Sequence, residues 1–102
     1  MIRHIVLYKI RKEVPQEKIA AIFTKLISLK NLVKGIKEFH WGPYCGSSDK
    51  NFGYNYAITV DLVNESVFAE YSPHPVHNAV REEMATILEA TAPLLMFDFE
   101  MP

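Results

Sequence analysis

Tyr71, His74 and His77 bring a phenol and two imidazoles together within seven residues, in the run Tyr71-Ser-Pro-His-Pro-Val-His77. Proline biases the residue before it away from the helical region, so Ser72 and His74 are expected to be extended. Pro75 suits the first position of a helix, where a missing N–H costs nothing. His77 then falls in the first helical turn, where free N–H groups and the helix dipole disfavour positive charge. A neutral imidazole held there can take a proton from carbon next to a carbonyl, with Tyr71 or Tyr56 orienting the substrate or stabilising an enolate. The plainer reading of His77 is a structural ring whose hydrogen bonds tie a helix to a sheet. His74 reads as a helix cap, a solvent-facing ring or a substrate contact. The H-x-x-H spacing of His74 and His77 can present two ligands to a metal, but a site needs a third donor. Tyr71 or Asp98 could supply an oxygen, yet nothing in the spacing requires it, so no metal is assigned.

Trp41, Tyr54 and Tyr56 are the other residues with polar tips on apolar bodies. They can line a ligand cavity, although aromatics at alternating strand positions also serve as core or interface. His4 and His40 lie near strand ends and are expected to face solvent or a partner. Cys45 has no basic neighbour nearer than Lys50 and lacks the surroundings of an activated thiolate. No nucleophile elbow, phosphate loop or dinucleotide fingerprint occurs, so no cofactor is expected.

The elements that must hold these residues follow from hydrophobic periodicity. Residues 3–11 read as a strand with His4, Val6, Tyr8 and Ile10 on one face and Ile5 and Leu7 on the other. A helix starts at Val14-Pro15-Gln16-Glu17, carries the stripe Ile19, Ile22, Phe23, Leu26 and Leu29, and exits at Asn31 and Gly35. Strands follow at 36–44 and 53–62, joined by the polar loop Gly46–Asn51. A short helix over 65–71, a longer one from Pro75 to about Ala90 and a strand over 93–100 complete the chain. The order β-α-β-β-α-β predicts an α+β, ferredoxin-like protomer, with an antiparallel sheet and helices on one face. Strands one, three and four carry large apolar groups on both faces, more than a monomer exposes. A second copy is the simplest cover, which predicts a two-fold homodimer through the sheet face, a dimeric α/β barrel.

At 102 residues the chain reads as one domain over residues 1–102. A net charge of −1 without basic runs removes the electrostatic basis for nucleic-acid binding. The apolar stretch Ile5-Val6-Leu7-Tyr8 is too short for a signal peptide or membrane anchor, so no membrane partner is expected. A single cysteine excludes an internal disulfide framework and suits the cytoplasm.

Several short segments, in order, resemble the stress-responsive A/B barrel (Dabb) family. They are His4-Ile-Val-Leu-Tyr-Lys9, Phe39-His-Trp-Gly42, Gly53-Tyr54, Tyr71-x-x-His-Pro-x-His77 and Phe97-Asp98. The resemblance implies a ferredoxin-like protomer dimerised through its sheets. It also implies a binding or stress-associated role without an assigned reaction, as for most members. One plant branch that resembles this chain cyclises a linear polyketide by aldol chemistry without a cofactor. That branch relies on the second histidine of the His-Pro-x-His motif, a strand-three histidine and two tyrosines. Here His77 and Tyr71 match, whereas Tyr56 and Leu26 stand at the other two positions. Two readings follow: a dimeric barrel with a binding role, or a cofactor-independent enzyme (cyclase, lyase or monooxygenase-like) that uses His77 as base on a small hydrophobic carbonyl compound.

Overall fold

The computed structural model describes residues 1–102 and contains β1 (Ile2–Tyr8), α1 (Gln16–Ile27), β2 (Ile36–Pro43), β3 (Tyr56–Leu62), α2 (Phe68–Tyr71), α3 (Pro75–Ala85) and β4 (Leu94–Glu100). Short 3-10 turns follow α1 at Ser28–Asn31 and precede α2 at Glu65–Val67. The four strands form one sheet in the order β2-β3-β1-β4, every neighbouring pair antiparallel. The expected α+β, ferredoxin-like arrangement is therefore present.

Strand alternation decides which side chains meet the helices. On β1, His4, Val6 and Tyr8 are buried, while Arg3, Ile5 and Leu7 face the opposite side and are only partly covered. Ile58, Val60 and Leu62 continue the buried face on β3. Helix α1 lays Ile19, Ile22, Phe23 and Leu26 on this face, at the i, i+3, i+4 spacing that makes one stripe. Each such fully buried side chain contributes about 1.5–3 kcal/mol. Helix α3 adds Val80 and Met84 to the same core, and Lys25 on α1 pairs with Glu83 on α3 across the helix layer. Gly35 is required by close packing, because a Cβ there would lie 2.4 Å from Val67 Cγ2.

The structure corrects four local expectations. Ser72 is helical rather than extended, with φ −62 and ψ −44, because its N–H extends α2 by bonding the Phe68 carbonyl at 2.9 Å. Helix α3 ends at Ala85 rather than near Ala90. Beyond it the backbone turns to pair with the end of β1: Arg11 N–H bonds the Ile87 carbonyl and Glu89 N–H bonds the Lys9 carbonyl, both at 2.9 Å. Ile87 and Leu88 fit a helical stripe, but these sheet-like bonds take precedence. Strand β3 starts at Tyr56 rather than 53, since Phe52 and Gly53 adopt positive φ. Asn55 instead brackets Ile10, its side chain accepting from that residue's N–H and donating to its carbonyl, each at 2.8 Å.

The fourth correction concerns the open face of the sheet. Its β3 residues are Ala57, Thr59 and Asp61, small or polar, and Arg3 donates two bonds to the Asp61 carboxylate at 2.7 and 2.9 Å. The apolar groups concentrate on β1 and β4, where Ile5 and Leu7 stand opposite Phe97 and Leu95. Phe97 is 64% exposed.

Candidate functional site

The N-terminal turn of α3 is built by the two prolines and His74. His74 is extended at φ −58 and ψ 137, Pro75 occupies the first helical turn, and His74 Nδ1 accepts the Val76 N–H at 3.1 Å. This is a helix N-cap made by an imidazole. It turns His74 onto the backbone and leaves His77, one turn on, beside Tyr71 of α2, with ring centroids 4.6 Å apart. Both line a cavity of about 390 Å³ between the helix side of β1 and β4 and the helices α2 and α3. That size lies within the range of small-molecule sites. The walls are mainly apolar, from Val6, Tyr8, Leu26, Ile58, Val80, Met84, Leu88, Leu94 and Met96; the polar groups are His4, Tyr71, Ser72, His77 and Arg81. The cavity exists because α1 and α3 cover β1 to β3 but leave β4 bare, with Leu94 and Met96 exposed along it.

Tyr71 is 2% exposed and its hydroxyl has no hydrogen-bond partner. Burial pushes its pKa far above the ordinary phenol value, with Arg81 opposing slightly, so the group stays a neutral donor. His77 is half-buried, and burial lowers its pKa below the ordinary imidazole value. The Ser72 carbonyl opposes that shift, while Arg81, His4 and His74 add to it. Its Nδ1 lies 2.9 Å from the Ser72 carbonyl oxygen and 2.9 Å from an Arg81 guanidinium nitrogen. No protein group pairs with Nε2.

His4 lines the cavity, against the expectation that it faces solvent or a partner. It is 8% exposed, because even positions of β1 point to the helices. Its Nδ1 lies 2.5 Å from Asp98 Oδ1, and its ring meets Phe68 and Tyr71 edge-on at 5.3 and 6.0 Å. The β1–β4 register sets His4 opposite Asp98, an arrangement in which a carboxylate orients an imidazole. The alternation of β1 already implied the burial of His4, but its partner required the strand pairing. Arg81 carried a plainer signal, four residues after His77 on one helix face.

The other candidates lie elsewhere. Trp41 and Tyr56 stack with Phe23, at 4.9 and 5.9 Å between centroids, as part of the packing between α1 and the sheet. Tyr54 sits under the Lys9 ammonium, 4.8 Å from its ring centre, and with Tyr56 borders a second hollow of about 380 Å³ at the β2–β3 loop end. Leu26 lines the main cavity as an apolar wall. Cys45 is exposed. No three His, Cys, Asp or Glu side chains gather as a metal set, since His74 is turned to the helix cap.

Comparison with known proteins finds relatives of the whole chain. The model of the stress responsive A/B barrel domain matches residues 2–101. The chain is 29% identical over 100 residues to the stress-response A/B barrel domain-containing protein HS1 of Arabidopsis thaliana, covering 97% of this chain and 88% of that one. It is 22% identical over 98 residues to olivetolic acid cyclase of Cannabis sativa, covering 96% and 94%. A dimeric ferredoxin-like protein of unknown function from Thermobifida fusca superposes with a TM-score of 0.79 at 28% identity, over 98% of this chain and 90% of that one.

Proposed function

The chain belongs to the stress responsive A/B barrel domain family, and on that premise we propose that its cavity binds a small, largely apolar carbonyl compound on which His77 and Tyr71 move a proton. The observation that carries this reading is the buried Tyr71 hydroxyl. It belongs to a cavity-lining residue and has no partner, although burying an unbonded hydroxyl costs about 1–3 kcal/mol. A ligand oxygen within reach would satisfy it. Tyr71 would donate a hydrogen bond to the carbonyl oxygen while His77 Nε2 takes the proton from the adjacent carbon. The electron pair then rests on the Tyr71-bound oxygen as an enolate. The proton returns from Nε2 to the same or another atom, so the cycle needs no cofactor. His4, held by Asp98 and edge-on to Tyr71, is a second imidazole beside the ligand.

The name of the cannabis relative, a cyclase, supports an enzymatic use of this framework. Leu26, which stands where the cyclising branch carries a polar group, gives this cavity an apolar wall and directs it toward a simpler substrate. The molecule would act as a homodimer joined through the open sheet face, as the dimeric relative suggests. The exposed free thiol of Cys45 suits the cytoplasm.

Exchange of the α-hydrogens of 4-phenyl-2-butanone in D₂O, followed by proton NMR, tests the reading. The protein should accelerate exchange, and His77→Ala should abolish the acceleration while the fold persists. Binding of the ketone without acceleration would reduce the site to a passive binding role. Absence of binding would remove the carbonyl ligand altogether.

A further inference from the structure

Arg81 is the one lysine or arginine on the cavity wall, and no carboxylate pairs with it. Glu83, two residues on, is engaged by Lys25. The guanidinium rests on neutral groups: Asn78 Oδ1 at 3.2 Å, the Ser72 carbonyl at 3.4 Å and His77 Nδ1 at 2.9 Å. The last contact conflicts with another. His77 Nδ1 also lies 2.9 Å from the Ser72 carbonyl. A neutral imidazole nitrogen either donates or accepts, never both. With its proton on Nδ1, His77 donates to Ser72 and Nε2 is a free base. With its proton on Nε2, Nδ1 accepts from Arg81 and the ring cannot act as a base.

We propose that Arg81 takes the carboxylate of an apolar acid at the cavity mouth and, by leaving His77 Nδ1, raises the share of the tautomer in which Nε2 is the base, a tautomer that the ligand-free protein populates in part. This rests on the proposed cavity reading and deepens it, naming the substrate class as a hydrophobic oxo acid. A planar guanidinium fork matches a carboxylate with two parallel N–H···O bonds. Arg81 stands one helical turn from His77, so a bound carboxylate lies within a few bonds of the reacting carbon. Arg81 is then a specificity and positioning residue, and the orphaned Tyr71 hydroxyl marks the oxo end of the same ligand.

The test compares 4-phenylbutanoate with its neutral isostere 4-phenylbutanamide. Dissociation constants come from NMR titration, and the His77 tautomer from long-range proton–nitrogen correlation. The wild-type protein should bind the carboxylate about tenfold or more tightly than the amide, as expected for a charge-assisted bond. Only the carboxylate should shift the His77 proton to Nδ1. Arg81→Gln should erase the preference while amide binding persists, and Arg81→Lys should restore part of the affinity without the full preference. Equal binding of both probes to the wild-type protein would overturn the role of Arg81 and leave the apolar cavity standing. So would a preference that survives in Arg81→Gln, or an unchanged tautomer. If neither probe binds, the cavity reading and this inference fall together.

Discussion

Folding and the proposed ligand place opposite demands on Tyr71. Its ring packs against His4, Phe39 and His77, while its hydroxyl is buried without a partner. Tyr71→Phe keeps the ring and removes the unsatisfied group. Denaturant unfolding should therefore show stability unchanged or raised by up to about 1 kcal/mol, while affinity for a carbonyl ligand falls about tenfold. A loss of stability would mean that the hydroxyl has a partner in solution. His77 adds a pH dependence of known sign. Burial lowers its pKa in the folded state, so the unfolded chain binds the proton more readily. Its contribution to stability is complete above the unfolded imidazole value, fades as pH falls from there toward the lower folded value, and is flat below it. Proton transfer by neutral His77 should persist to a lower pH than an exposed imidazole allows, and His77→Asn should remove both effects. The sequence exposed Tyr71 and His77 through the spacing of their motif. It did not expose the His4–Asp98 pair, because 94 residues separate its members.

At the scale of elements, helix α3 places the site. Its start is legible in the chain: a proline suited to the first turn and a capping side chain just before it. His74→Ala removes the side-chain cap on Val76 N–H and should lower stability by about 1 kcal/mol. For a domain of this size that corresponds to a fall in Tm of roughly 4–8 °C. A rise in Tm would show that the imidazole strains the turn. The end of α3 was not legible, because Ile87 and Leu88 fit a helical stripe and also fit a segment paired with the end of β1. Local periodicity cannot choose between the two. The backbone bonds to Lys9 and Arg11 make the choice, and those residues lie far away in sequence. Ser72 follows the same rule, since continuation of α2 outweighs the local bias set by Pro73.

At the scale of the whole molecule, β4 is exposed along its whole length. Leu95, Phe97 and Phe99 are exposed on the open face, next to Ile5 and Leu7 of β1. A second copy placed there would bury these groups. Phe97→Asp should convert a dimer into a monomer in light scattering or sedimentation, since an unpaired carboxylate resists burial in an apolar interface. A wild-type chain that is monomeric at micromolar concentration would remove the sheet-face dimer. The Arg3–Asp61 pair gives this face a polar patch beside the apolar one, which two-fold symmetry would have to match.

The sequence by itself determined the order of the elements, the ferredoxin-like sheet, the family and the start of α3. All of these depend on residues close in the chain, through periodicity, turn chemistry and ordered motifs. Tertiary structure decided which imidazoles share a cavity, which aromatics are packing, and that Arg81 and the Ser72 carbonyl compete for one nitrogen of His77. Those outcomes depend on strand register and on the gap that the helices leave over β4, and both are set by contacts between residues far apart in the chain.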